Sequence, residues 1–124
     1  MDIELPSSFR LAKIARNHSN FIRPAQRMGA VIVKSGRVIA FGFNQSKTHT
    51  LFPKAYSFHA EMHAIVTAQT DLVGADIYIY RERNGNQPAM AKPCDMCLKL
   101  IIESGINKIF YTVSDNPLFY EVIK

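Results

Sequence analysis

Two short stretches limit the folds open to this chain more than anything else in it. His59-Ala60-Glu61 opens a helix-like run, 59–69, rich in Ala and Met. Pro93-Cys94-Asp95-Met96-Cys97 opens a second, over 94–103, which Gly105 terminates. Between them lies "DIYIY", 76–80, whose β-branched and aromatic residues favour a strand. Both motifs follow polar loops, 45–57 and 81–93. Helices alternating with strands cover a sheet, so two such helix starts can meet at one end of it.

The rest of the chain agrees with that arrangement. Residues 7–20 read as a first helix that Ser7 or Ser8 can cap and that Pro24 stops. Phe9, Ala12, Ile14 and Ala15 form its apolar stripe, with Arg10, Lys13 and Arg16 outside. "MGAVIVKSGRVIAFGFN", 28–44, is a hairpin turning at Ser35-Gly36. "KIFYTV", 108–113, is a buried strand, and 118–123 a last edge strand, with a short terminal helix as the alternative there. The order α-ββ-α-β-α-β-(β) predicts a three-layer α/β/α domain over residues 1–124. Its central sheet is mixed, with four to five strands. No internal repeat or low-complexity tract interrupts it.

Composition excludes some classes. No run of about 18 uncharged apolar residues exists, so no membrane helix is expected. The first residues carry Asp2 and Glu4 and lack an apolar centre, so they are no secretory signal. The expectation is a cytoplasmic protein. Its two cysteines, spaced C-x-x-C, read there as a redox pair or half a metal site rather than a disulfide framework. The net charge of +5 suits an anionic partner, a nucleotide or a nucleic acid, but is also common in small proteins without one.

Cys94 and Cys97 share a face in the first turn of their helix, where unpaired N–H groups and the helix dipole favour thiolates. Two thiolates repel, and a cation relieves the repulsion. Zinc takes S and N ligands in a tetrahedron, and His59 can supply the third. Three protein ligands with one open position is the catalytic pattern. Glu61 would not face His59 inside a regular helix, but at a helix start both can border one pocket. Glu61 can then hold a water and carry its proton. H-x-E followed by P-C-x-x-C is the signature of zinc-dependent nucleobase deaminases.

At these residues the chain resembles the cytidine and deoxycytidylate deaminase superfamily, from about Gly29 to Val113. "GAVIVKSGRVIAFGFN", "HAEMHAI", "PCDMC" and "SGINKIFYT" carry the likeness. The resemblance implies the cytidine-deaminase-like fold, Zn2+ on His59, Cys94 and Cys97, and Glu61 as proton shuttle. It implies that the Ala60 backbone helps orient the base and that Asn44 contacts its sugar or ring. Free cytidine deaminases typically have Cys at the place of His59. The His form resembles deoxycytidylate, guanine and tRNA adenosine deaminases and the polynucleotide cytosine mutators. "NQSKTHTLFP", 44–53, and "YRERNGNQPAMAKPC", 80–94, resemble small phage and bacterial deoxycytidylate-deaminase-like proteins. Two features depart from that group. His63 stands where deoxycytidylate deaminases often carry Asn, and the chain leaves little room for an added regulatory site.

Other residues stay open between roles. His63 is a further candidate ligand or a packing residue; its H-x-E-x-H order is not the H-E-x-x-H of metalloproteases. His49 and Lys47 lie in a loop edging the pocket and could contact substrate. Lys54, Arg81, Arg83 and Lys92 could meet a phosphate or be solvated. Phe43, Tyr56, Phe58 and Tyr111 could stack on a base or pack the core. The expected reaction is hydrolytic deamination of cytosine in a free nucleotide such as deoxycytidylate, by an enzyme that assembles as a homo-oligomer. The alternatives are a deaminase of bases within single-stranded DNA or RNA and a non-catalytic zinc module.

Overall fold

A computed structural model describes residues 7–46, 57–83 and 87–114, with the backbone of 120–123. Helix α1 is Ser7–Arg16, and a short 3-10 turn, Pro24–Gln26, precedes strands β1 (Met28–Lys34) and β2 (Arg37–Phe43). Then follow α2 (Ala60–Ala68), β3 (Asp76–Arg83), β4 (Gln87–Pro88), α3 (Asp95–Glu103), β5 (Lys108–Thr112) and β6 (Tyr120–Ile123). The sheet order is β2-β1-β3-β5-β6, with β4 attached to β3. β3 and β5 are parallel and the other neighbours antiparallel. The mixed sheet and its last edge strand match the sequence reading. Among the described residues, no helix is long and apolar enough to cross a membrane.

Strand alternation sorts the core into two faces. Val31, Tyr78, Tyr80 and Phe110 turn toward α1 and pack with Phe9 and Ala12. Phe9 meets Tyr78 edge-on at 5.2 Å, and Tyr78 stacks on Phe110 at 4.6 Å. Ala30, Ile32, Ile77, Ile79, Ile109 and Tyr111 turn the other way, toward Ala60 and Ala64 of α2 and Ile101 of α3. Helices thus cover both faces. At the hairpin tip Ser35 and Gly36 take φ of 52° and 75°, the pair of positive angles a two-residue turn requires.

Three sequence expectations change. Helix α1 stops at Arg16 rather than running to Asn20. Its end tightens into i−3 bonds, with Asn17, His18 and Ser19 amides donating to Ile14, Ala15 and Arg16 carbonyls. Arg16 is buried and Ile14 is 56% exposed, the reverse of the expected stripe. β3 continues beyond Tyr80 into the expected loop, pairing at Arg81 with Met28 and at Glu82 with Pro88, and the cause of the reversed stripe is Glu82. Its buried carboxylate meets Arg16 Nη1 at 3.0 Å and Lys13 Nζ at 3.4 Å, and accepts from the Tyr80 hydroxyl at 2.7 Å. A strand can bury an acid so compensated. The stretch 81–93 is therefore partly strand.

Two details of the sheet place the helix starts. A methyl group at Gly42 would collide with the Ala60 carbonyl and the Ala64 amide, so α2 lies directly against the β2 backbone. At the other side, β3 and β5 separate beyond the Ile79–Tyr111 pair. Residues 89–91 enter the gap: the Ala89 amide donates to the Arg81 carbonyl at 2.8 Å, and the Ala91 amide to the Thr112 carbonyl at 2.9 Å. The buried Thr112 hydroxyl closes the junction, accepting from the Arg81 amide at 3.2 Å and donating to the Ala89 carbonyl at 2.7 Å. This strap leads straight to Pro93 and Cys94.

Gly42→Ala should push α2 off the sheet. We expect a loss of about 1–3 kcal/mol in denaturant unfolding, the usual range for overpacking, together with weaker metal binding. Unchanged stability and metal affinity would show that α2 seats without the glycine.

Candidate active site

His59 is placed from both sides. Phe58, just before it, pairs with Gln45 beyond the end of β2, the two amides and carbonyls meeting at 2.8 and 3.0 Å. His59 itself is the N-cap of α2, extended at φ −73° and ψ 155°. His59 therefore stands just ahead of the helix, and the Glu61 carboxylate lies within hydrogen-bond reach of Cys97. Burial lowers the His59 pKa, which keeps the imidazole neutral with a lone pair to give.

Glu61 sits in the first turn and is only 2% exposed. Its Oε1 has no hydrogen-bond partner among the described residues, a costly state for a buried polar atom. Burial pushes its carboxyl up to about 7, against the opposing effect of hydrogen bonds from its own backbone and from Cys97. Such a group exchanges a proton near neutral pH.

Cys94 is the N-cap of α3, and its Sγ accepts from the Cys97 amide at 3.4 Å, satisfying one open N–H of the first turn. Cys97 is fully buried, between Phe58, Met62 and Leu100 at the seam of α2 and α3. His59 Nδ1 lies 3.2 Å from Cys97 Sγ and 3.6 Å from Cys94 Sγ. All three donor atoms fall within 4.8 Å of one another. Donor edges of about 3.5–3.8 Å are what zinc–nitrogen and zinc–sulfur bonds demand in a tetrahedron. Burial raises the Cys97 thiol pKa, and the nearby charges of Glu61 and Cys94 raise it further. A cation among these groups reverses that repulsion. The donor set, its spacing and the unpartnered carboxylate oxygen beside it all fit zinc.

The remaining predicted residues separate. His63 stands outside the donor group and its Nδ1 accepts from the Phe43 amide at 3.1 Å. Ala60 is buried at the head of α2 beneath Gly42. The Asn44 carboxamide is engaged within the chain: Oδ1 accepts from Ser19 Oγ and the Met28 amide, each at 2.8 Å, and Nδ2 donates to the Gln26 carbonyl at 2.7 Å. Arg81 spends its guanidinium on the Ala25 carbonyl at 2.9 Å and the Met90 carbonyl at 3.2 Å. Tyr111 and Phe58 are core residues. Lys47, His49, Lys54 and Tyr56 lie outside the described residues. Sequence reasoning missed Gly42, Ser19 and Thr112. A glycine inside a strand does signal close backbone approach, whereas nothing local marks Ser19 or Thr112.

Residues 6–113 match the family described as the cytidine and deoxycytidylate deaminase zinc-binding region. The chain is 33% identical over 113 residues to the riboflavin biosynthesis protein RibD of Actinobacillus pleuropneumoniae, a match covering 88% of this chain and 26% of that protein. It is 28% identical over 122 residues to the deoxycytidylate deaminase of Saccharomyces cerevisiae, over 85% of this chain and 36% of that protein. It thus spans about a quarter to a third of the length of these relatives. Its fold is that of the cytidine deaminase from Burkholderia pseudomallei, with a TM-score of 0.69 at 20% identity, covering 98% of this chain and 93% of that one. With a zinc-binding region matched from Pro6 through α3 and β5, and His59, Cys94 and Cys97 gathered at one point, the chain belongs to the cytidine and deoxycytidylate deaminase family.

Proposed function

We propose that the chain is a single deaminase domain that hydrolytically removes an amino group from a nucleobase, with cytosine in a free nucleotide such as deoxycytidylate as substrate. The observation that carries the reading is the buried Glu61 carboxylate, whose Oε1 has no partner among the described residues, beside the three-donor set. A purely structural metal would have no use for it, and burying it costs stability.

His59 Nδ1, Cys94 Sγ and Cys97 Sγ would hold zinc. When bound, zinc acts as a Lewis acid and brings the pKa of water to about 7. Glu61 takes the proton released as water adds to the ring carbon and delivers it to the departing nitrogen. The exocyclic C–N bond is replaced by C=O, the second proton of the water ends on the adjacent ring nitrogen, and ammonia leaves. The Glu61 pKa of about 7 suits the carboxyl to both halves of the transfer. The buried seam of Phe58, Met62 and Cys97 would keep bulk water from the inner side of the donor set. Lys47 and His49 are proposed to contact the substrate from the 45–57 loop, with the Ala60 backbone and Asn44 on the near wall. With Arg81 committed to backbone carbonyls, phosphate recognition falls to other cations. The enzyme is proposed to act in the cytoplasm as a homo-oligomer. The net charge of +5 favours one second reading, a base presented within single-stranded nucleic acid.

Purified protein should carry about one zinc per chain. Chelation should stop turnover, zinc should restore it, and Cys97→Ser should abolish metal retention. A protein that neither holds nor responds to zinc would overturn the site.

Glu61→Gln should keep zinc while turnover drops by at least about 10²–10⁴-fold, the scale of general acid–base catalysis. Ammonia release from cytosine nucleosides and nucleotides, guanine, adenosine and single-stranded oligonucleotides identifies the substrate. Activity on oligonucleotides alone would replace the first reading with the second.

A further inference from the structure

We propose that His63 is a positioning residue: its Nδ1 accepts the outward-facing amide of Phe43 and so fixes the gap between α2 and the segment 43–46 beside the site. The kinetic part of this inference rests on the deaminase reading; the structural part does not.

Among the described residues β2 ends the sheet, with no strand paired to its other side. Successive amides of a strand point to opposite sides. The Asn44 amide points inward, donating to the Met28 carbonyl at 3.2 Å, so the Phe43 amide points out of the free edge. His63 Nδ1 meets it at 3.1 Å, and Gln45 Nε2 approaches the same nitrogen at 3.5 Å. With donors converging on it, Nδ1 keeps its lone pair and the ring hydrogen resides on Nε2. The imidazole is held in place by Phe43, edge-on at 4.6 Å, and by Phe58 at 5.3 Å.

Two residues further on, Gln45 pairs with Phe58 in both directions. His63 therefore occupies the place that the next strand would take, and the free edge is closed at 43 by α2 and at 45 by the residue before His59. One helical turn separates His63 from His59, whose carbonyl accepts the His63 amide at 3.0 Å. The imidazole thus ties the helix that begins at His59 to the near wall of the site. Through Asn44 that wall also carries Ser19 and the Gln26 carbonyl. Losing the His63 bond loosens the wall at 43, with the Gly42 contact and the Gln45–Phe58 pair still in place, and leaves the metal donors untouched. Its effect should fall on substrate binding more than on the chemical step.

The test compares zinc-loaded parent, His63→Leu and His63→Asn; the asparagine Oδ1 restores an acceptor at about the reach of Nδ1. In the parent, 15N ring spectra should show the Nε2–H tautomer. His63→Leu should retain zinc, speed hydrogen exchange at the Phe43 and Gln45 amides by about tenfold or more, and raise KM for deoxycytidylate about tenfold with kcat within about threefold. His63→Asn should return both exchange and KM toward the parent. An Nδ1–H tautomer, unchanged exchange, accelerated exchange with unchanged KM, or no rescue by asparagine would each overturn the proposal. Loss of zinc from both variants would instead make His63 a ligand and overturn it too. If His63→Leu fails to fold, the tautomer and the asparagine variant decide. If the parent does not act on deoxycytidylate, the substrate reading fails while tautomer and exchange still judge the latch.

Discussion

The start of α2 rests on bare strand backbone at Gly42, and the geometry of the site depends on that contact. With no side chain between them, the Ala60 carbonyl and the Ala64 amide come up against β2. Close seating buries Ala60, Met62 and Ala64 completely and takes Glu61 with them. A carboxylate is rarely carried so deep without a counter-charge. The helix is fixed by apolar packing strong enough to impose that position, and the unsatisfied Oε1 is the consequence. The same seating turns His59, one residue before the helix, outward to where a second helix can reach it.

That second helix arrives by a different device. β3 and β5 are parallel neighbours only as far as Tyr111, and the strap 89–91 then comes between them. A sheet that splits leaves amides and carbonyls without ladder partners, and buried orphans of that kind are costly. Thr112 supplies the missing partners from its side chain, while Arg81 ties the strap to the Pro24–Gln26 turn. The two cysteines are delivered at the carboxyl ends of the parallel strands, where α/β sheets commonly place their sites.

Cys94, Cys97 and Glu61 would repel one another if all were charged, and burial opposes charging Cys97 and Glu61 at all. Neutral His59 adds a lone pair to the same point. Such a group of donors is held together at low cost only around a cation, in keeping with the zinc-binding family to which the chain belongs. The distal side of the molecule handles its own buried acid differently: Glu82 is met by Arg16, Lys13 and Tyr80, needs no metal, and serves to anchor α1.

Much of this was legible in the residues. Alternation in "GAVIVKSGRVIAFGFN", the apolar runs at 76–80 and 108–113 and the two helix-opening motifs were enough for the three layers and for His59, Cys94, Cys97 and Glu61 as a group. Local pattern put Arg16 outside its helix stripe and 81–93 in a polar loop, because charge argues for the surface unless a partner is known, and the partner of Arg16, Glu82, lies on another element. It also left His63 open between ligand and packing residue, and made Arg81 a candidate for phosphate. Sequence by itself determined which donor types exist and that they stand at helix starts, since spacing and propensity are local properties. Only the tertiary structure decided where each polar atom finds its partner: Nδ1 of His63 at the edge of β2, the Arg81 guanidinium between two carbonyls, Glu61 Oε1 at none among the described residues. Hydrogen bonding is settled by distances across the fold, and those distances are products of packing that no single segment encodes.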